Sequence, residues 1–261
     1  MERMIEFKNT NFAYNSTNAF NDFSMEIMEG DIVTMIGTSG SGKTTILKML
    51  CHRLPNDTVY YNERKMSSYN VQDLQREIVV IFDSPITTNT CLSELKRYIT
   101  KIGLAKEDIE SRIAEIVNFF SLEDTINKEI KKLSREERYL IKILRYLIIK
   151  PKFMAIDCLL DCIGTQNKRR FFEYIKKNKI TLLNVTTNLD DALYGNKLFV
   201  LENFVLILEG NTLSVLKTDT LLKRLGFRLP LAVDLSIELG HYELLKKIYT
   251  DDEKLVNALW K

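Results

Sequence analysis

The chain has 261 residues, 45% hydrophobic and 28% charged, which fits one large globular domain with an appendage and excludes disordered and fibrous classes. Its 37 Lys and Arg nearly cancel its 35 Asp and Glu, so no net field points to nucleic acid or an acidic membrane.

From the N-terminus, "MIEFKNTNFAYN" alternates apolar and polar residues as a half-buried strand does, and "DIVTMIG" (31–37) is a short buried strand after the turn at Glu29-Gly30. "KTTILKMLCHRL" has helical periodicity, which gives strand, glycine loop, helix. "EIVVIF" (77–82) is a further buried strand, and from Thr90 to Lys131 the pattern becomes helix-length and amphipathic with Gly103 as its break. "EERYLIKILRYLIIK" reads as a helix stopped by Pro151. Phe153 to Ile156 is a strand ending at Asp157, "KRRFFEYIKKN" a helix and "ITLLNV" a strand. "KLFVLENFVLILEGNTLSVL" reads as two strands around Glu202-Asn203, and a separate helical pattern starts near Asp219. Strands alternating with helices imply an α/β fold, a largely parallel sheet with helices on both faces.

Cys51, Cys91, Cys158 and Cys162 fall at unrelated spacings with no secretory signal ahead, which implies reduced thiols in a cytosolic compartment. His52 and His241 stand apart from them and complete no zinc set. No run approaches the ~20 apolar residues of a membrane span, so a membrane would be reached through a partner. Lys131-Lys132 and Lys176-Lys177 read as solvated helix faces.

"GTSGSGKTT" comprises Gly37, Thr38, Ser39, Gly40, Ser41, Gly42, Lys43, Thr44 and Thr45, and fits the phosphate-loop pattern between a buried strand and a helix. Loop amides and the helix start cradle phosphates, Lys43 reaches the outer ones, and the Thr44 hydroxyl binds Mg²⁺.

With Tyr14 ahead of it, and "FDSP", "LSREE", "FMAID" and "NVTTNLDDA" following in order, the loop makes the chain resemble the ATP-binding subunits of ATP-binding cassette (ABC) transporters over essentially its whole length. "LGFRLPLAVDLSIELG" and "DDEKLVNALWK" look like the C-terminal extension of the ATPases of energy-coupling factor (ECF) transporters, importers of vitamins and metal ions. The resemblance implies a P-loop ATPase of ABC type that binds ATP and Mg²⁺. Its nucleotide-binding core would run over 1–85 and 151–218, with a helical subdomain at 86–150 and a dimerisation extension at 219–261. It implies adenine stacking on Tyr14, and two partners: a second ATP-binding subunit, identical or different, and an integral-membrane coupling subunit. It also places the chain in the cytoplasm on the inner face of the cell membrane. Leu225, Phe227, Leu229, Leu231, Val233 and Leu235 would serve either a dimer interface or a helical cap on the core.

The motifs for hydrolysis depart from the family. The usual glutamine after the second buried strand is Asp83, which reads as a water-mediated Mg²⁺ ligand or a turn residue before Ser84-Pro85. In the signature, Ser134 keeps its place but Arg135 and Glu136 replace two glycines and Glu137 follows, putting negative charge where an anion should bind. Ser134 with Glu137 three residues on also reads as a capping box. Asp157 keeps the magnesium-holding position, but the next residue, a glutamate base in active members, is Cys158, and a thiol with pKa near ~8.5 is mostly protonated at neutral pH. Leu159 and Cys162-Ile163-Gly164 replace the following proline and aspartate loop, and Thr187 stands where the switch histidine should. Asp161, three places beyond Cys158, is expected to face another direction. The expectation is an ECF-type ATP-binding subunit that holds MgATP and hydrolyses it poorly. The alternatives are a nucleotide-dependent regulatory or dimerisation module with no transporter, and an active ATPase in which Asp161 or Asp83 serves as base.

Overall fold

A computed structural model describes residues 2–14, 19–55, 57–99 and 106–260. Asn15, Gly103 and Lys261 of the segments read above lie outside them. Two sheets organise the chain. The first is antiparallel, with strand order β2-β1-β4-β5 for β1 (Arg3–Ala13), β2 (Ala19–Met28), β4 (Val59–Tyr61) and β5 (Arg64–Lys65). The second runs β10-β9-β3-β8-β7-β6, from β3 (Ile32–Gly37), β6 (Ile78–Ile81), β7 (Phe153–Asp157), β8 (Thr181–Val185), β9 (Lys197–Glu202) and β10 (Val205–Asn211). All its pairings are parallel except the β9–β10 hairpin.

β3 and β8 are buried at every residue because both faces of the parallel sheet are covered, which is why they read as unbroken apolar runs. One face meets α1 (Lys43–Leu50), whose Ile46, Leu47, Met49 and Leu50 share a core with Val33, Met35 and, from the antiparallel sheet, Phe7 and Ile27. The opposite face meets α3 (Cys91–Arg97), α4 (Lys106–Phe120), α5 (Arg135–Leu147) and α6 (Thr165–Lys177). Helices thus lie on both faces as expected, and beyond α1 one side is closed by the second sheet. β2, the β4–β5 hairpin and α2 (Val71–Glu77) add to the elements expected.

Two ends also differ from the sequence reading. The helix after the phosphate loop stops at Leu50, because Cys51 leaves helical geometry and His52 turns left-handed at φ 57°. Beyond Asn211, "TLSVL" is no strand. Asn211 accepts a hydrogen bond from the Leu213 amide and starts α7 (Thr212–Leu216). The tail is helical, in α8 (Asp219–Arg224), α9 (Leu231–His241) and α10 (Asp252–Leu259). Its apolar residues divide: Leu222, Leu229, Val233 and Ile237 pack with Ile36 and Val200, whereas Leu231 and Leu235 stay exposed.

Candidate functional site

Register sets the site. Met35 of β3 and Asp157 of β7 both pair with Val185 of β8, so the carboxyl ends of three adjacent parallel strands open onto one crevice. The phosphate loop leaves β3 there, Asp157 ends β7, and Thr186 and Thr187 follow β8.

The loop closes tightly on its floor. A Cβ at Gly37 would stand 2.3 Å from the Leu201 carbonyl oxygen, and Gly42 takes φ 106°, so side chains are excluded at both positions. The Lys43 ammonium donates to the carbonyls of Gly37 and Thr38, both at 2.8 Å, and to Ser41 Oγ at 3.1 Å. Burial lowers its pKa while the nearby Cys158 and Asp157 raise it. These are neutral acceptors that phosphate oxygens can replace with charge-assisted bonds. Thr44 Oγ1 donates to Asp157 Oδ2 at 3.1 Å, which puts two hard oxygen donors together across 113 residues of chain. Ser41 and Thr45 are buried under the loop, Thr38 is half-buried, and Ser39, Gly40 and Thr44 face outward. Tyr14 is 51% exposed at the end of β1, its ring edge-on to Phe12 at 4.9 Å.

The row beside the loop is bonded differently. Cys158 sits half-buried at φ 57°, held by its amide on the Val185 carbonyl at 2.9 Å. Burial, then the Asp157 and Asp161 carboxylates, push its thiol up to about 11. Asp161 turns to the end of β8: Thr186 Oγ1 donates to it at 2.5 Å, and Thr187 donates its hydroxyl at 3.3 Å and its amide at 3.4 Å. Thr187, expected at the switch position, is therefore tied to a carboxylate of its own chain.

The signature residues are engaged as well. Ser134 and Glu137 form the capping box that starts α5: Ser134 Oγ accepts from the Glu137 amide at 3.1 Å and Glu137 Oε2 from the Ser134 amide at 2.7 Å. The Ser134 amide is the leading cause that holds the Glu137 carboxyl below its usual range. Glu136 Oε1 accepts from the Gly164 amide and Asn167 Nδ2, both at 2.8 Å, and so caps α6 from another helix. Arg135 remains exposed, its guanidinium 5.8 Å from the Tyr139 ring. Asp83 accepts from Lys142 Nζ at 2.6 Å and from Tyr139 at 3.0 Å, and the lysine bond is the leading cause that lowers its pKa.

Sequence reasoning missed three features here. The Glu136 cap had a signal, because α6 begins at Gly164 with no side-chain cap of its own. Glu94 is fully buried against Arg145, which also donates to Ser84 at 3.2 Å and so pins the segment after β6. Behind Thr187, Asp191 accepts from Lys168 Nζ at 2.6 Å and from Asn184 Nδ2 at 3.1 Å, and all three residues are buried.

The chain matches the family model described as ABC transporter over residues 20–158, more than half its length. The energy-coupling factor transporter ATP-binding protein EcfA1 of Staphylococcus aureus is 23% identical, aligned over 91% of this chain and 93% of its own. A Pyrococcus abyssi protein named as an ABC transporter ATP-binding protein is 24% identical over 99% of this chain and 98% of its own. Among solved structures, cbiO1 of Clostridium perfringens, described as part of the ABC transporter complex cbiONQ, aligns at TM-score 0.75 and 18% identity, covering 93% of this chain and 99% of that one. A dimeric bacterial ABC transporter cassette aligns at TM-score 0.69 and 22% identity over 80% of this chain and 99% of its own. The fold is the ABC-type P-loop ATPase, and the chain belongs to the ABC transporter family as an ATP-binding subunit, with a likeness to those of ECF transporters.

Proposed function

We propose that this chain is the ATP-binding subunit of an ECF-type importer for vitamins or metal ions, one that binds MgATP and turns it over poorly or not at all. One contrast carries the reading: Lys43, Thr44 and Asp157 keep the geometry of a phosphate and magnesium cradle, while the base position holds a thiol pushed up to about 11. Thr44 and Asp157 fit Mg²⁺ because both offer hard oxygens, and the ion when bound would neutralise charge on the outer phosphates. Lys43 would exchange its carbonyl partners for phosphate oxygens, and Tyr14 would offer its exposed ring to adenine.

Water activation needs an acceptor. The Cys158 thiol at neutral pH is a donor, and Thr187 supplies no second nitrogen base. A base relocated to Asp161 or Asp83 would first have to shed bonds, to Thr186 and Thr187 in one case and to Lys142 and Tyr139 in the other. Hydrolysis then falls to a partner subunit, whose nucleotide would be covered by "LSREE", with Arg135, exposed beside the Tyr139 ring, as the cation to meet a phosphate.

The printed names of the relatives, an ECF ATP-binding protein and a component of cbiONQ, support the transporter assignment. Leu231, Tyr242, Leu244, Val256 and Trp260, exposed on the tail, support dimerisation through residues 219–261, with a like or unlike subunit. No described helix is long and apolar enough to cross a membrane, and contact with the inner membrane face would run through the coupling subunit and the helical subdomain at 86–150. The same exposed tail favours a second reading, a nucleotide-dependent dimerisation module without a transporter. Co-purification with an integral-membrane subunit separates the two.

The deciding measurement is MgATP binding and phosphate release on one sample of the purified chain, alone and with candidate partners. Binding is expected to be weakened about 10- to 100-fold by Lys43→Ala, the cost of losing charge-assisted phosphate bonds, with turnover at background in both proteins. Family-typical turnover in the isolated chain, abolished by Lys43→Ala, would sink the reading.

A further inference from the structure

Among the described residues, the same unusual turn occurs twice. Asn62-Glu63 joins β4 to β5 with φ 46° and 62°, and Asn203-Phe204 joins β9 to β10 with φ 47° and 64°. Both are two-residue hairpin turns with two left-handed positions, where glycine normally takes the second. Glu63 is exposed, but Phe204 is 8% exposed and a bulky aromatic in a region that L side chains rarely adopt.

What holds Phe204 there is the phosphate loop. Its amide donates to the Ser41 carbonyl at 2.9 Å. Its ring packs edge-on against Phe20 at 5.0 Å between centroids. Together the rings fill the side of Gly42 where a side chain would point: a Cβ there would meet Phe20 Cζ at 2.7 Å and Phe204 Cδ1 at 2.9 Å. The other end of the loop rests on the same hairpin, since Gly37 abuts the Leu201 carbonyl. Ser41, gripped by the turn, also accepts from Lys43.

We propose that Phe204 is a positioning residue for nucleotide binding: its backbone amide and ring hold Ser41 and left-handed Gly42 so that the loop amides before Lys43 stay aimed at phosphate. The strain at φ 64° is retained because glycine, which would relieve it, would remove that floor. The proposal rests on the loop being the nucleotide cradle.

The test compares Phe204→Gly, Phe204→Leu and the control Glu63→Gly by backbone hydrogen exchange without ligand and by MgATP titration. Phe204→Gly should speed exchange at Ser41, Gly42 and Lys43 at least fivefold, leave Val33 to Ile36 of β3 unchanged, and weaken MgATP five- to tenfold. Phe204→Leu, which keeps an apolar body over Gly42, should restore both to within about twofold. Glu63→Gly, which relieves the same backbone without a loop contact, should change neither. Should the glycine variant not fold, Phe204→Asn, at home in left-handed backbone, gives the same readout. Unchanged loop exchange, or a rise shared equally by β3, would overturn the proposal. A wild-type chain that fails to bind MgATP sinks the nucleotide reading instead, and the exchange comparison still decides the role of Phe204.

Discussion

The phosphate loop and the row beside it occupy neighbouring strand ends, yet they hold their polar groups in opposite ways. In the loop, Lys43 rests on neutral carbonyls and Thr44 faces outward, so a charged ligand can displace what is there. In the row and the signature, Asp161, Glu136, Glu137 and Asp83 each already accept bonds from their own chain. A carboxylate used as a cap or a clasp gives the fold stability and gives water little. The difference teaches that where the sequence departs from the family pattern, its carboxylates are engaged in intramolecular bonds.

The largest expected break of this contrast is Cys158→Glu with Thr187→His. General-base catalysis is worth ~10²–10⁴-fold, so with a partner that supplies an intact signature, phosphate release at this chain's loop should rise at least about 100-fold. A rise of less than tenfold would mean that the Asp161 clasp, rather than the missing base, limits the site.

A smaller effect follows from the Cys158 thiol. With its pKa pushed up to about 11, its thiolate fraction grows roughly tenfold per pH unit, so site-resolved alkylation should rise about 100-fold between pH 8 and 10 with no plateau. A plateau near pH 9 would show an ordinary thiol and weaken the claim that the site lacks a base.

The smallest tests the signature as architecture. Ser134→Ala should cost about 1 kcal/mol of stability and lower Tm by about 3 °C, as loss of a cap does. Nucleotide binding at the chain's own loop should stay unchanged. Measured by thermal unfolding and MgATP titration, a loss of binding without a loss of stability would return Ser134 to a ligand role.

Much is legible in the sequence alone. "GTSGSGKTT" between an apolar run and a helical pattern located the loop, because glycines and a lysine at that spacing answer a local need. The capping box was equally local, spanning Ser134 to Glu137. Less legible were ends and partners. "TLSVL" alternates enough to read as a strand, but the Asn211 cap and packing of Val215 and Leu216 on the tail make it helical. β2 alternates in its burial only in part, and bulges break its register against β1, so its pattern in the sequence is weak.

The sequence by itself determined which chemical groups are present: a complete phosphate-loop pattern, Asp157 after its strand, a thiol at Cys158 and a hydroxyl at Thr187. Tertiary structure decided which of them are free. It brought Glu136 to the start of α6, turned Asp161 onto Thr186 and Thr187, tied Asp83 to Lys142, and set Phe204 beneath Gly42. These pairs join residues 25 to 162 positions apart in the chain. Motif spacing reports on contacts within a loop or a helical turn, whereas hydrogen-bond partners at that range exist only once the sheet has set its strand order.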